Sequence, residues 1–393
     1  MQNLPISISK DVKFRFLRDD EKTYSTSEKE LPLVIEPVQE KSFAHLLRLL
    51  GENGAEFNKQ LDKYGAVLFR GFEVEDGNQF QKVLELLNIQ LESAYHFGSA
   101  HRVRITDKVF TSSEAPPDTI IAPHNELNMV PWRPNVLAFF CQVQPDVYGE
   151  TPIINTEKLF NELSPSLQHK IANYPQRFVR YVPEHLLGLV FEGLSKEEIT
   201  KLLTEQEFDF NWEEDGSLNF ECSYITLFSH PRTSRLCFCL SIVDCLVSRE
   251  WYKNIRQRYP FGKRLYYNWL PASLYKQYQQ RLTTAATVVD GSQKRTSTLN
   301  AYFVNGDNEC TTITEAEAKE LGKAEWKNAA IFQWKQGDIL LIDNLQVAHS
   351  RLNTAQKRKI LTAFGNMCNI RNMINPATLA LTSAKELEAS KKL

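Results

Sequence analysis

Two histidines and one glutamate have the types and positions needed to bind a metal ion. His124 and Glu126 are two residues apart, and on an extended segment such side chains lie on the same face. Two imidazoles and one carboxylate on one triangular face hold ferrous iron in oxygenases and leave the other positions open. Of the eight histidines, His349 best fits the third ligand, because it follows an apolar segment and a turn in GDILLIDNLQVAHSR.

A His-x-Glu tripeptide often occurs by chance, so its context has to distinguish a metal site from an unrelated pair. The His-Glu-x-x-His spacing of zinc proteases does not occur in the chain, which leaves little support for a hydrolytic zinc site. Seven cysteines without Cys-x-x-Cys spacing give neither a zinc motif nor a disulfide framework. Cys237 and Cys239 alternate with apolar residues, and we predict that both are buried thiols.

Short apolar segments predict the strands that must position these residues. The segments are 66–69, 136–143, 151–154, 331–334, 339–342 and 359–364. Apolar spacing predicts helices near residues 43–50 and 80–87, Ser195 with Glu198 has capping-box spacing, and residues 244–296 are mostly helical in character. Short strands with peripheral helices favour a mainly β fold, a sandwich or a barrel, over a parallel α/β sheet.

Two segments resemble the taurine dioxygenase (TauD/TfdA) family, and most of all its SyrP-like branch. They are HNELNMVPWRPNVLAFFCQVQPDVYGETPI (124–153) and FQWKQGDILLIDNLQVAHSR (332–351), which occur in the family's order about two hundred residues apart. AVLFRGF (66–72) and YFVNGDNECT (302–311) are also similar to family segments. The resemblance covers most of residues 33–370, and the helical stretch 244–296 departs from it.

The resemblance implies a double-stranded β-helix, also called a jelly roll or cupin-like barrel, with a helical insertion. We expect one domain over residues 1–375, with the jelly-roll core at about 66–155 and 300–370. Residues 155–300 are then an inserted region that covers the mouth of the barrel as a partial lid. Residues 376–393 form a polar C-terminal tail.

The resemblance also implies roles for single residues. His124, Glu126 and His349 match the iron ligands. Thr151, in Gly-Glu-Thr, matches the threonine that hydrogen-bonds the carboxylate of 2-oxoglutarate, although by itself a threonine here would be an ordinary strand residue. Because Glu126 is retained, whereas halogenating relatives lack this carboxylate, the expected outcome is hydroxylation or desaturation.

The far carboxylate of 2-oxoglutarate needs a cation, and an arginine can bond both of its oxygens at once. The family usually has an arginine doublet about ten residues after the second histidine, whereas this chain has Arg358 and Lys359. Neighbours on a strand face opposite sides, so only one of the two can point inward. Chemistry favours Arg358, and ungapped counting from His349 can favour Lys359. Both could instead be solvated at the end of a turn.

The charge is nearly balanced, with 46 Lys plus Arg against 48 Asp plus Glu, so no strong field attracts nucleic acid or an anionic membrane. The first residues lack the apolar stretch of a signal peptide, and no apolar run approaches membrane-spanning length. We therefore expect a cytoplasmic protein whose partner is a small molecule.

Together, these features predict a dioxygenase that uses Fe(II), 2-oxoglutarate and O₂. The resemblance favours as substrate an amino acid or an amino-acid-derived molecule, free or tethered to a carrier protein. The competing hypothesis is a cupin-like metal-binding or sensor protein without oxygenase activity. Thr151 and the cation after His349 distinguish the two, since an oxygenase needs them and a cupin does not.

Overall fold

The computed structural model describes residues 10–98, 102–113, 115–117, 119–239, 245–275, 288–289, 292–293, 298–354 and 357–375. Its strands, in chain order, are β1 (Val12–Arg15), β2 (Leu33–Pro37), β3 (Ala66–Phe69), β4 (Phe110–Thr111), β5 (Ile121–His124), β6 (Trp132–Val143), β7 (Ile153–Asn155), β8 (Gln176–Val182), β9 (Asp209–Trp212), β10 (Leu218–Tyr224), β11 (Leu227–Ser229), β12 (Leu236–Phe238), β13 (Val288–Val289), β14 (Ser292–Gln293), β15 (Thr298–Val304), β16 (Cys310–Thr311), β17 (Ala329–Ala330), β18 (Ile339–Asp343), β19 (Val347–Arg351) and β20 (Lys359–Asn369).

The α-helices are α1 (Phe43–Tyr64), α2 (Gly77–Leu86), α3 (Thr156–Asn161), α4 (Pro165–Asn173), α5 (Leu187–Val190), α6 (Lys196–Glu205), α7 (Cys245–Asn254), α8 (Phe261–Trp269) and α9 (Glu315–Lys327). Short 3₁₀ turns occupy Asp19–Glu21, Glu184–Leu186, Arg256–Arg258 and Ile370–Asn372. The predicted capping box is present, because the Ser195 hydroxyl accepts from the Glu198 N–H and the Glu198 carboxylate accepts from the Ser195 N–H at the start of α6.

Three sheets with four or more strands each organise the described part of the chain. A seven-stranded sheet has the order β1-β2-β3-β18-β6-β20-β4, and a four-stranded sheet has the order β17-β7-β19-β5. A five-stranded sheet, β16-β15-β8-β10-β9, is built largely from the region predicted as an insertion. Of the strand pairs in these sheets, β2 with β3 is parallel and the others are antiparallel.

Alternation along β3 shows how the seven-stranded sheet is buried on both faces. Val67 and Phe69 pack in one apolar cluster with residues of α1 and α2, whereas Leu68 belongs to a second cluster shared with the other sheets. Strands buried on both faces have continuous apolar sequences rather than alternating ones, which explains AVLF and ILLI. The helices α1 and α2 therefore form an outer layer.

The four-stranded sheet follows the same rule. Ile153 and Val347 join the cluster between the sheets, while Ile154 and Ala348 face a third cluster that contains residues of α3, α7 and α9. Phe178, from the five-stranded sheet, packs in the cluster between the sheets as well. Strands β7 and β19 thus lie between a common core and an outer helical layer.

The mainly β architecture with peripheral helices agrees with the sequence prediction, but two details differ. The sequence prediction was a double-stranded β-helix, and within the described residues no strand is shared by the seven- and four-stranded sheets, so these layers do not close into a barrel. The strand predicted at 331–334 is wrong, because β17 ends at Ala330 and Phe332 makes only an isolated bridge to Lys22. These residues are apolar because Ile331, Phe332 and Trp334 are buried in the core.

The described part of segment 244–296 contains α7 and α8, as its helical character predicted. Cys237 and Cys239 are buried thiols, also as predicted. The predicted polar tail, 376–393, lies outside the described residues. Where the structure describes the chain, no helix combines the length and the apolar composition needed to cross a membrane.

Candidate metal centre and its cavity

His124 and His349 face each other across two neighbouring strands. In the antiparallel pair of β5 and β19, His349 lies directly opposite His124, and the centroids of the two rings are 4.3 Å apart. Directly opposed residues of an antiparallel pair have their Cβ atoms close together on one face. Two residues that are 225 positions apart in sequence are thereby brought into one place by strand pairing.

Glu126 reaches the same place from a turn. The sequence predicted an extended segment through Glu126, but β5 ends at His124 and Leu127 has a positive φ of 55°. Asn344, after β18, fixes this turn, since its Oδ1 accepts from the Glu126 N–H at 2.7 Å and its Nδ2 donates to the Glu126 carbonyl at 3.1 Å. Asn125 donates to the Asn344 carbonyl at 2.7 Å. Sequence reasoning missed Asn344, although it lies within the DNLQVAHSR segment.

The three side chains offer one set of metal-ligand atoms. One ligand atom each from His124, Glu126 and His349 lies within 4.8 Å of the other two, and Glu126 Oε2 is 3.6 Å from His349 Nε2. They line a cavity of about 450 Å³. Two nitrogens and one carboxylate oxygen are the donor set expected for non-haem ferrous iron, so the residues present fit that ion.

The protonation states also suit metal binding. His124 Nδ1 is 2.9 Å from the Ala122 carbonyl, a contact that places the proton on Nδ1 and leaves the Nε2 lone pair for a metal. Burial lowers the pKa of His124, and burial together with the neighbouring His124 lowers the pKa of His349 well below its usual value. Burial would raise the pKa of Glu126, but the Arg102 charge and the two histidines outweigh it and hold this pKa at about 2.

Tyr95 and Arg102 orient the Glu126 carboxylate. The Tyr95 hydroxyl donates to Glu126 Oε1, and Arg102 Nη2 donates to the same oxygen at 3.0 Å. The Arg102 guanidinium also lies over the Tyr95 ring, 4.4 Å from its centroid. Oε1 is therefore held by the protein, and Oε2 faces His349. Sequence reasoning missed both residues, because neither belongs to a short motif.

Thr151 and Arg358, which the resemblance and the chemistry of the chain assign to 2-oxoglutarate, line the same cavity. Thr151 is buried just before β7, and its Oγ1 accepts from the Trp334 indole N–H at 3.2 Å. This leaves the hydroxyl hydrogen of Thr151 available to a ligand. Trp334, which is buried in the core, therefore also holds a cavity side chain.

Arg358 and Lys359 point to different places. Arg358 is partly buried, lines the cavity and donates to the Gly149 carbonyl, whereas Lys359 begins β20 with its side chain exposed. Burial and the Arg351 charge lower the pKa of Arg358 to about 10, so it is still a cation at neutral pH. Arg351 is buried and donates to the Ala115 and Pro116 carbonyls. The structure brings Arg358 to the site and leaves Lys359 outside it.

A buried ion pair supports the cavity wall from behind. Arg258 Nη1 and Nη2 donate to the two oxygens of Glu150 at 2.7 and 2.6 Å, and both side chains are almost fully buried. The guanidinium also lies 4.1 Å from the centroid of the Tyr148 ring. Arg258 comes from segment 244–296, which departs from the family resemblance. It contacts the residue between Gly149 and Thr151.

Known proteins are similar to this chain in sequence and in structure. The family model described as "Taurine catabolism dioxygenase TauD, TfdA family" matches residues 27–259, more than half of the 393 residues. A clavaminate synthase-like protein of Arabidopsis thaliana is 27% identical over 315 residues, which cover 77% of this chain and 82% of that protein. The dapdiamide synthesis protein DdaC of Enterobacter agglomerans is 24% identical over 310 residues, with the same coverage. Among solved structures, PvcB from Pseudomonas aeruginosa has a TM-score of 0.49 at 12% identity and covers 93% of this chain, which covers 94% of PvcB.

Proposed function

Because the chain belongs to the taurine catabolism dioxygenase TauD, TfdA family, we propose that it oxidises a small molecule with iron held by His124, Glu126 and His349. Membership makes the chain an iron- and 2-oxoglutarate-dependent oxygenase, an oxidoreductase, in agreement with the sequence prediction. The assignment of these three ligands is carried by one observation. Their donor atoms converge in a single cavity that Thr151 and Arg358 also line.

Iron at this site would supply O₂ activation coupled to oxidation of 2-oxoglutarate. The protein's part is to present neutral imidazoles and an oriented carboxylate. His124 is fixed by its bond to Ala122, and Glu126 is fixed by Tyr95 and Arg102. Ligands held by further hydrogen bonds keep their orientation and tautomer, which tunes the metal.

For the co-substrate, we assign Thr151 and Arg358 to the carboxylates of 2-oxoglutarate. A threonine hydroxyl and a guanidinium are suitable donors for carboxylate oxygens. The Arg358 guanidinium already bonds the Gly149 carbonyl, two residues before Thr151, so both groups are attached to one short segment. The exposed Lys359 is not part of this assignment.

For the substrate, we propose hydroxylation or desaturation of an amino acid or an amino-acid-derived molecule, free or tethered to a carrier protein. The retained Glu126 supports these outcomes over halogenation, and the SyrP-like resemblance and the similarity to DdaC support the substrate class. The cupin-like binding hypothesis has less support, because family membership and a cavity with both Thr151 and Arg358 favour the enzyme.

We also propose that residues 1–375 form one domain in which segment 155–300 supports the site. Two contacts support this proposal. Arg258 bonds Glu150, and Arg180, on β8, bonds the Phe97 carbonyl near Tyr95. Among the described residues, no side chain of 155–300 lines the cavity itself. Covering of the cavity mouth by this segment therefore stays a prediction.

Release of succinate from 2-oxoglutarate tests the proposed function. Purified protein with Fe(II) and ascorbate should release succinate, and His124→Ala should abolish the release because one ligand is lost. The matched control is His185→Ala, since His185 is exposed and does not line the cavity. Iron binding without succinate release in the wild type would favour the cupin-like hypothesis.

A further inference from the structure

Arg102 is a buried cation, and two of its three nitrogens have no acceptor among the described residues. Its side chain is 7% exposed and lines the cavity. Nη2 donates to Glu126 Oε1 and lies 3.3 Å from the Tyr95 hydroxyl, but Nε and Nη1 are buried and have no acceptor among the described residues. Within the described part of the chain, three N–H hydrogens of this guanidinium thus have no partner.

An unsatisfied buried donor is costly, and more so when it carries charge. The Glu126 carboxylate is the anion that Arg102 contacts. Iron bound to the same carboxylate would neutralise part of its negative charge. Glu126 would then compensate the positive charge of Arg102 less than it does without iron. A second anion in the cavity would satisfy both the charge and the free N–H groups of Arg102.

The carboxylate of 2-oxoglutarate that we assign to Arg358 does not explain this feature. Its assigned cation is Arg358, which precedes β20 and contacts Gly149, whereas Arg102 belongs to the loop between α2 and β4 and contacts Glu126. The two guanidiniums are held by different elements and bond different groups. Arg102 is therefore available to an anion other than the carboxylate that Arg358 binds.

We propose that Arg102 binds a carboxylate of the primary substrate, so that the enzyme acts on a free acid rather than on a carrier-bound thioester. This inference rests on the proposed function and narrows its substrate class. A thioester carbonyl is uncharged and gives the guanidinium no anion besides Glu126, whereas a carboxylate forms a charge-assisted hydrogen bond with a guanidinium. The apolar side chains of Leu127, Met129 and Phe139, which line the same cavity, are available to the rest of the molecule.

Matched probes test the inference on the wild-type protein. Anaerobic protein with Fe(II) and 2-oxoglutarate would be titrated calorimetrically with each of the common L-amino acids, its primary amide and its N-acetylcysteamine thioester. We expect at least one free acid to bind, and its amide and thioester to bind about tenfold more weakly or worse, as for loss of a charged hydrogen bond. Equal binding of the three forms, tighter binding of the thioester, or no binding of any acid would overturn the inference.

Variants test whether Arg102 causes the preference for the free acid over the amide. Arg102→Gln should remove the preference for acid over amide, and Arg102→Lys, which keeps the charge, should retain part of it. The matched control is Arg104→Gln, because Arg104 lies two residues further on and is about half exposed. A preference that persists in Arg102→Gln would overturn the assignment to Arg102.

Failure of the proposed function has a different signature. The visible charge-transfer band of the Fe(II)–2-oxoglutarate complex is recorded before each titration. A wild-type protein without this band would contradict the proposed function, whereas a normal band without discrimination between acid and amide would contradict only the inference about Arg102. The band also shows whether Arg102→Gln still binds iron and co-substrate.

Discussion

At the scale of single residues, the site depends on which side chain of a neighbouring pair enters the cavity. Arg358 and Lys359 are adjacent and both are cations, yet only Arg358 lines the cavity. Because alternate residues of an extended segment face opposite sides, the onset of β20 at Lys359 directs that residue's side chain to solvent. The structure thus gives a physical reason to assign co-substrate binding to Arg358.

Substitution of the two residues tests this assignment. Arg358→Ala should abolish binding of 2-oxoglutarate, and Arg358→Lys should weaken it by about 1.5 to 3 kcal/mol through loss of the two-pronged guanidinium contact. Lys359→Ala is the matched control and should have little effect. Titration of 2-oxoglutarate into anaerobic Fe(II) protein, followed by the charge-transfer band, measures both. A large loss in Lys359→Ala with a normal Arg358→Ala would reverse the assignment.

At the scale of elements, the cavity is supported by contacts between segments far apart in the chain. The wall that carries Gly149 and Thr151 is held by Arg258, from the 3₁₀ turn Arg256–Arg258. Loss of one partner of a buried ion pair is strongly destabilising, because it leaves the other charge buried and unpaired. The helical segment 244–296 therefore has a structural role at the site.

Arg258→Ala should lower the free energy of unfolding by about 3 to 5 kcal/mol, since Glu150 would be left as an uncompensated buried carboxylate. Urea unfolding followed by circular dichroism measures this change. Arg256→Ala, two residues away at an exposed position, is the matched control and should stay near the wild type. A change below about 1 kcal/mol in Arg258→Ala would mean that the pair contributes no more than a surface salt bridge does.

Local patterns predicted most of the elements that build the site. Alternation and apolar runs gave the strands at 66–69, 136–143 and 339–342, and the capping-box spacing gave the start of α6. The strand expected at 331–334 was wrong because burial in an irregular segment produces the same apolar run as a strand. Periodicity also could not show that β5 stops at His124, since the turn at Glu126 is fixed by Asn344 from another strand end.

Sequence patterns could not predict the residues that hydrogen-bond the candidate metal ligand Glu126. Tyr95 and Arg102 contact Glu126 across 31 and 24 residues, and neither lies at a helical or strand spacing from it. Such contacts exist only once the sheets have packed. The three candidate ligands, by contrast, could be selected because their side-chain chemistry restricts the choice to a few residue types.

At the scale of the whole molecule, three apolar clusters fill the interior between the sheets and the helices, and the buried charges described among them differ in how they are compensated. Arg70, at the end of β3, is buried and bonds both Asp338, before β18, and Glu21, in the first 3₁₀ turn. Glu325, in α9, differs. Its carboxylate is fully buried, and neither oxygen has a hydrogen-bond partner among the described residues. Burial raises the pKa of Glu325 well above its usual value.

Glu325 should make the stability of the whole protein depend on pH. Between the unfolded-state pKa of about 4.3 and the raised folded-state pKa, the folded protein holds a proton at Glu325 that the unfolded chain has lost. The folded state then binds more protons, so the free energy of unfolding falls as pH rises, by up to about 1.4 kcal/mol per pH unit from this group.

Glu325→Gln imitates the protonated side chain and should remove this contribution. The variant should match the wild type near pH 4 and become progressively more stable than it from pH 5 to pH 7, in urea unfolding at each pH. Glu73→Gln, at an exposed loop position, is the matched control and should follow the wild type throughout. A difference between Glu325→Gln and the wild type that does not change with pH would show that this carboxyl group titrates alike in the folded and unfolded chains.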